Sequence, residues 1–530
     1  MFSHSFCLQC FFLYGRPLLP GREDISCTFV WDKPDGVNPL KRLAGQTAVY
    51  GLSSILGRVI NFLLVPLYTR VFIPGEYGVV TEMYTYVAFL LIVLTYGMET
   101  AFFRFSETQK GERESVFGTS LLSVLVTSLL FIFLVVVFRQ PLAQAMRYPD
   151  NVEYIVLLGL IVGLDALIAI PFARLRADNR PMRFVLIKLA GIGINVVLVL
   201  FFLLLCPWLV HSGPARLLPF VNLVYDPGIG VGYVFIANLV ATAVALLLLM
   251  PVMTSARPVF DAALWRRMLR YALPLLVAGL AGWANEALDK LLLKYLLPQG
   301  IAMSQLGIYG AVYKLSIMMT IFVQAFRFAA EPFYFSQAGG GHARHLYARV
   351  MKLFVFACLL IFLGIMLFID VVRHFIGADY HEGLAVVPIL LLANMFLGIY
   401  FNLSIWYKLT GQTLYGAWFA VAGALITIAL NIWWIPLMGY HGSAWATLVC
   451  YASLAILSWG FGRRHFPVPY QTGRILSMIA LAVLIYLLTY ITSRLSPPLM
   501  YSLHVVLLAG FGYLATLADP ELRSDMGEFR

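Results

Sequence analysis

Fourteen apolar stretches, each long enough to cross a bilayer as a helix, fill the chain between Leu43 and Leu517. No other property constrains the fold so strongly, because a hydrocarbon core about 30 Å thick needs roughly 20 apolar residues per spanning helix. A backbone in lipid must also satisfy its own hydrogen bonds, which leaves helices or closed barrels. The expected spans are 46–67, 78–103, 116–138, 152–173, 184–206, 229–253, 272–296, 306–328, 350–369, 384–407, 413–435, 440–461, 473–493 and 500–517. A composition 61% hydrophobic and only 12% charged excludes an ordinary soluble domain. The expected fold is an all-α polytopic membrane protein.

The net charge of +11 raises a nucleic-acid partner, but no basic block in a soluble segment is interleaved with aromatics, so none is expected. Lysine and arginine instead concentrate in alternate loops, as at Arg174, Arg176, Arg180 and Arg183, at Arg257, Arg266, Arg267 and Arg270, and at Arg463, Arg464 and Arg474. This is the positive-inside pattern, and it puts both termini in the cytoplasm.

Residues 1–37 depart from the pattern. They hold three of six cysteines and an apolar patch too short to span, and they read as a non-conforming extension with translation starting near Val37. Cys7 and Cys10 form a C-x-x-C with no second pair, too little for a metal site, and Cys206, Cys358 and Cys450 read as small core residues.

The sequence also repeats internally. Ile73-Pro74 through Tyr77-Gly78-Val79-Val80 to Tyr84 matches Leu297-Pro298 through Leu306-Gly307-Ile308-Tyr309 to Tyr313, with glycine six residues before tyrosine in both. Gly228-Ile229-Gly230-Val231-Gly232, opening span six, matches Gly439-Tyr440-His441-Gly442, opening span twelve. Six spans therefore recur as six, giving two lobes at 38–260 and 261–465 in a parallel pseudo-two-fold repeat, with two helices appended at 466–530.

Ionised groups at membrane depth cost at least about 2.5–3.5 kcal/mol each, so they mark cavities or pairs. Arg58 lies near the middle of span 1, Asp165 in span 4, Lys188 a turn into span 5 and Lys314 inside span 8. Span 7 carries Glu286, Asp289, Lys290 and Lys294; the i, i+4 spacing aligns three of them. Glu286 and Lys290 read either as a self-neutralising pair or as part of a cavity. Lys188 and Lys294 read either as snorkelling to headgroups or as cavity groups. Glu82, Glu99, Arg104, Arg327 and Glu331 read as interfacial or cavity-mouth residues. Cationic character at Arg58, Lys188, Lys290 and Lys314 fits an anionic ligand such as a phosphate or pyrophosphate. Asp165, Glu286 and Asp289 are candidates for a coupling proton or sodium ion, or for ion pairing. Pro66, Pro171, Pro274, Pro332, Pro388 and Pro436 are expected to kink spans, as hinges or as static bends. No metal-binding, nucleotide-binding or nucleophile motif occurs, so no cofactor and no catalysis are expected.

Leu43-Ala44-Gly45-Gln46-Thr47-Ala48-Val49-Tyr50-Gly51-Leu52-Ser53-Ser54, Pro66-Leu67-Tyr68-Thr69-Arg70 and Pro74-Gly75-Glu76-Tyr77-Gly78 resemble bacterial polysaccharide-export flippases of the O-antigen type. These form the oligosaccharide-flippase branch of the multidrug/oligosaccharidyl-lipid/polysaccharide exporter superfamily. The resemblance covers about residues 40–520. It implies alternating access in the bacterial inner membrane, moving undecaprenyl-pyrophosphate-linked sugar units through a cationic cavity. It also implies lipid contact, other polysaccharide-assembly membrane proteins as partners and a monomeric transporter. The rivals are a multidrug/cation antiporter of the same fold, a peptidoglycan lipid-precursor flippase and, from another class, a membrane polysaccharide polymerase or ligase.

Overall fold

The computed structural model describes residues 56–108, 112–214, 216, 218–255, 259–337, 343–492 and 496–518; the expectations for residues 1–37, including Cys7 and Cys10, lie outside them. The described residues contain helices and no strand. We label the helices used below α1 (Val65–Val71), α2 (Pro74–Thr95), α3 (Met98–Thr108), α4 (Arg113–Val137), α5 (Val152–Ala177), α6 (Pro181–Leu200), α7 (Gly232–Thr254), α8 (Ala262–Leu296) and α9 (Gln299–Leu315). There follow α10 (Ile317–Gln337), α11 (Ala343–Leu367), α12 (Val387–Leu403), α13 (Leu414–Met438), α14 (Tyr440–His465), α15 (Thr472–Thr492) and α16 (Pro497–Ala518).

The chain is an all-helical multi-pass membrane protein. Among the described residues, 11 helical segments are long and apolar enough to cross a bilayer, or 12 if α9 and α10 are one broken span. The count of fourteen is thus not reproduced, for two visible reasons. The first expected span, 46–67, is described only from residue 56. The seventh is α8, whose 35 residues are ample in length but include seven charged side chains.

Local sequence explains several helix ends. Pro74 opens α2, and Glu76 reaches back to accept from the Ile73 amide at 3.2 Å. That is half of a capping box with proline at the first helical position, which is the physical content of the Pro-Gly-Glu-Tyr-Gly turn. Between α2 and α3 the chain bends without proline. Tyr96 and Gly97 have φ of 34° and 76°, and the Tyr96 hydroxyl is held by Ser123 at 2.6 Å. The prolines divide by role. Pro66 and Pro388 stand in the first turns of α1 and α12, whereas Pro171, Pro274 and Pro436 lie inside helices. Pro388 opens α12, whereas Pro66 stands two residues after a break at Leu64 that separates α1 from the helical residues before it, as a proline kink does.

The described chain forms two compact units that interleave along the sequence. Unit 1 is Met1–Ile60, Val87–Gly279 and Gly411–Thr413; unit 2 is Asn61–Tyr86, Leu280–Thr410 and Leu414–Arg530. In unit 1, α5 is the buried centre and packs on α3, α4 and α7. Its glycines one turn apart make this possible. A Cβ on Gly159 would fall 2.6 Å from Val135 and one on Gly163 2.5 Å from Ile132, both on α4. Small residues at i, i+4 let membrane helices approach closely, where dispersion replaces the hydrophobic drive. On α4 itself Val126, Leu129, Leu130, Phe133 and Val137 are exposed, an apolar stripe at helical spacing that suits lipid.

In unit 2, α14 packs on α12 and α13, and α11 on α12, α15 and α16. The repeat glycines meet here. A Cβ on Gly307 of α9 would lie 1.8 Å from the Pro74 carbonyl oxygen, and one on Gly78 of α2 2.2 Å from that of Met303. Gly310 abuts Thr81 in the same crossing. The carboxyl end of α1 is closed by the segment after α11: Tyr380 donates to the Phe72 carbonyl at 2.8 Å and the Gly377 amide to the Thr69 hydroxyl at 3.0 Å. The second repeated motif is preserved in backbone form. Gly230 before α7 and Gly439 before α14 both take left-handed φ, 49° and 58°, with ψ of −116° and −137°.

Candidate functional site

Each unit has its own set of deep charges. In unit 1 the last turn of α5 supplies Arg176, and α6 supplies Lys188, which lies within electrostatic range of both Arg176 and Arg58. Arg58 and Lys188 are half-buried. Phe184 lies between two of these cations: Lys188 Nζ is 5.5 Å and the Arg176 guanidinium 5.7 Å from its ring centre, with Phe103 5.0 Å from Arg176 on another side. Aromatic faces stabilise cations out of water. Arg176 also pairs with Glu99 of α3, a buried carboxylate. Lys188 thus has two other cations within electrostatic range, and one of them, Arg176, meets the Glu99 carboxylate.

Asp165 sits on α5 three turns before Arg176 and is 4% exposed. The Thr242 hydroxyl of α7 donates to it at 3.0 Å, and the Asn238 amide oxygen is 3.5 Å from that hydroxyl. Asp165 is thus buried and has a neutral hydrogen-bond partner.

In unit 2, Asp289 of α8 is 3% exposed and is held on both oxygens. The Tyr309 hydroxyl donates to Oδ2 at 2.7 Å; the Lys290 amide and Nζ approach Oδ1 at 2.9 and 3.3 Å. Lys290 Nζ donates to the backbone carbonyl of Glu286 at 3.2 Å and lies 4.2 Å from the Tyr313 ring centre. The i, i+4 spacing therefore brings Lys290 to the Glu286 backbone, and Asp289 is the carboxylate it meets. The sequence left a Glu286–Lys290 pair and a cavity role open; helix geometry alone does not decide between a neighbour one turn away and a tyrosine-anchored one beside it. Lys314 stands in the last turn of α9, where a cation complements the helix dipole. The chain breaks two residues later at Ser316, and the Ser316 hydroxyl covers the Tyr313 carbonyl at 2.7 Å. That side chain satisfies a backbone group freed by the break, as lipid requires.

The largest departure from the sequence reading is the pair Glu82–Lys294. Glu82 is fully buried and Lys294 3% exposed, and Nζ donates to both carboxylate oxygens at 2.7 and 2.8 Å. Lys294 does not snorkel, and Glu82 is not interfacial. Separation by 212 residues hid the pair. One signal was present: Glu82 lies one turn after Gly78, on the face that crosses α9. Arg176, read as a loop residue, and Glu99 were likewise missed as site members. Among the described residues no three His, Cys, Asp or Glu side chains gather as a metal site.

This architecture is the fold of transporters of the MOP superfamily. The lipid II flippase MurJ in an inward closed conformation superposes with a TM-score of 0.66 at 13% identity, over 90% of this chain and 99% of that one. An inward-facing multidrug resistance MATE family transporter gives 0.60 at 14%, over 77% and 94%. A MOP superfamily transporter from Pyrococcus furiosus, described as having a binding pocket of reverse polarity, gives 0.51 at 14%, over 80% and 94%. No curated protein matches the sequence. The chain belongs to the polysaccharide biosynthesis protein family, whose model matches residues 43–337.

Proposed function

We propose that the protein is a flippase that carries undecaprenyl-pyrophosphate-linked oligosaccharide units across the bacterial inner membrane for O-antigen-type surface polysaccharide. The observation that carries this reading is the gathering of Arg58 and Arg176 within electrostatic range of Lys188, with Arg176 and Lys188 against the Phe184 ring, in a chain of the polysaccharide biosynthesis family. Cations on aromatic supports suit a pyrophosphate, and a drug-cation exporter would instead place acidic groups there. Lys290 and Lys314 join them as ligand candidates from the second lobe. The lobes 38–260 and 261–465 rock about the substrate, both termini face the cytoplasm, and the transporter works as a monomer in contact with polysaccharide-assembly partners. Asp165, Glu286 or Asp289 takes the coupling proton or sodium ion.

The test is the surface-polysaccharide profile of a deletion strain complemented with wild type or with Arg58→Ala, Lys188→Ala, Lys290→Ala or Lys314→Ala. Loss of polymerised glycan, restored by wild type and not by Arg58→Ala or Lys188→Ala, supports the reading. A normal glycan profile with altered drug tolerance moves it to multidrug antiport, and lethality of the deletion moves it to the peptidoglycan precursor.

A further inference from the structure

The helix α8 is far longer than a bilayer core requires. Its 35 residues rise about 50 Å, against about 30 Å of hydrocarbon. Its amino-terminal half belongs to unit 1, which takes the helix as far as Gly279. Here one stripe is buried, formed by Leu264, Met268, Ala272 and Leu275. The opposite side is exposed, and its chemistry changes abruptly along the axis. Arg266, Arg267 and Arg270 are exposed in the first three turns. Leu273 and Val277 follow, 47% and 60% exposed. At about 100° per residue these five fall within about 120° around the helix, so arginine gives way to leucine and valine on a single face. The step from Arg270 to Leu273 covers about 4.5 Å of the axis. Arg104, also exposed, flanks the stripe with its guanidinium 4.3 Å from the ring centre of Tyr271. Among the described residues none of these four arginines is ion-paired. Asp261, the nearest acid along the helix, is turned to the helix end, where its Oδ1 accepts from the Ala263 and Leu264 amides at 2.8 and 3.0 Å.

We infer that this face of α8 is a binding site for anionic phospholipid, with the three α8 arginines on the headgroup phosphate and Leu273 and Val277 against the acyl chains. A face that turns from cationic to apolar within one helical turn matches the boundary between headgroups and hydrocarbon. A water-filled passage would not continue the stripe in leucine and valine, and a protein or nucleic-acid partner outside the bilayer would leave those two uncovered. Guanidinium forks suit phosphate oxygens, which they can hold by two hydrogen bonds at once. Orienting the chain in a bilayer needs only positive charge somewhere in the loop. It does not need the arginines collected on one side of the helix, opposite the buried stripe and in line with an exposed apolar one. The inference goes beyond the transport reading and stands without it, since a lipid held here is a resident of the leaflet and not cargo.

The experiment uses the full chain purified in detergent, with bound lipid counted by native mass spectrometry. The probes are phosphatidylglycerol and, with the same acyl chains, phosphatidylcholine. Wild type is expected to prefer phosphatidylglycerol by about tenfold, and the preference to shrink as salt is raised. Arg270→Gln is expected to weaken phosphatidylglycerol binding by about fivefold, the effect of one basic residue near a membrane surface. Arg266→Gln, Arg267→Gln and Arg270→Gln together are expected to remove the preference. Phosphatidylcholine binding and the melting temperature should stay unchanged, because all three side chains are exposed. Arg463→Gln with Arg464→Gln, which removes exposed arginines from the end of α14, is the charge control and should leave the preference in place. The inference is overturned if wild type shows no preference, if the triple variant keeps it, or if the control loses as much as the triple variant. The arginines then serve only to orient the chain.

Discussion

Two charged regions of this molecule use the same residue types to opposite ends. In unit 2, Glu82 and Lys294 close on each other with almost no exposure, two hydrogen bonds and a glycine crossing one turn away. In unit 1, Arg58 and Arg176 lie half-buried within electrostatic range of Lys188, and Arg176 and Lys188 stand against the Phe184 ring. A close-set acid–base pair fixes one packing arrangement, while like charges drawn together favour an anion among them. Membrane depth alone therefore does not mark a binding residue; the local charge balance does.

The sharpest way to break this contrast is to remove one partner of the closed pair. Glu82→Gln or Lys294→Met is expected to destabilise the protein by about 3–5 kcal/mol, because the remaining ion keeps its burial and loses its counter-charge. Replacing both by Gln should recover much of that, as read from unfolding midpoints in detergent. Recovery that fails would mean that the pair contributes more than mutual neutralisation. Gly307→Ala comes next, since its Cβ would strike the Pro74 carbonyl at 1.8 Å. Forced separation of α2 and α9 is expected to cost about 1–3 kcal/mol, visible as a lowered melting temperature. Arg58→Gln and Lys188→Gln should leave that temperature nearly unchanged and yet cut glycan export by tenfold or more in complemented cells. A large loss of stability instead would assign the cluster to packing. The smallest effect belongs to Asp165→Asn, which keeps the Thr242 hydrogen bond within about 1 kcal/mol; transport that loses its response to a collapsed proton or sodium gradient would place ion coupling there.

Much of the fold was legible in the chain. Span positions follow from apolar length, and exposed stripes such as that on α4 appear where lipid replaces water. The repeat was readable because glycine is required in the same structural role twice, at Gly78 and Gly307 and again at Gly230 and Gly439. Site partners were less legible. Arg58 and Lys188 were singled out by their expected depth, and Asp289 by its place on α8. Sequence spacing on one helix pointed Lys290 to the Glu286 carboxylate, but the tertiary fold supplied Tyr309 to orient Asp289 beside it. Arg176 looked like one more loop arginine until Glu99 and two phenylalanines surrounded it.

The residues by themselves determined an all-helical membrane protein and the inventory of charges carried on its apolar helices, since bilayer thickness and the cost of unsatisfied backbone act on each segment separately. Only the tertiary structure decided which charges cancel. Pairing Glu82 with Lys294, and leaving Arg58, Arg176 and Lys188 together, depends on which helix faces cross, and electrostatic energy falls off with a distance that sequence separation does not measure.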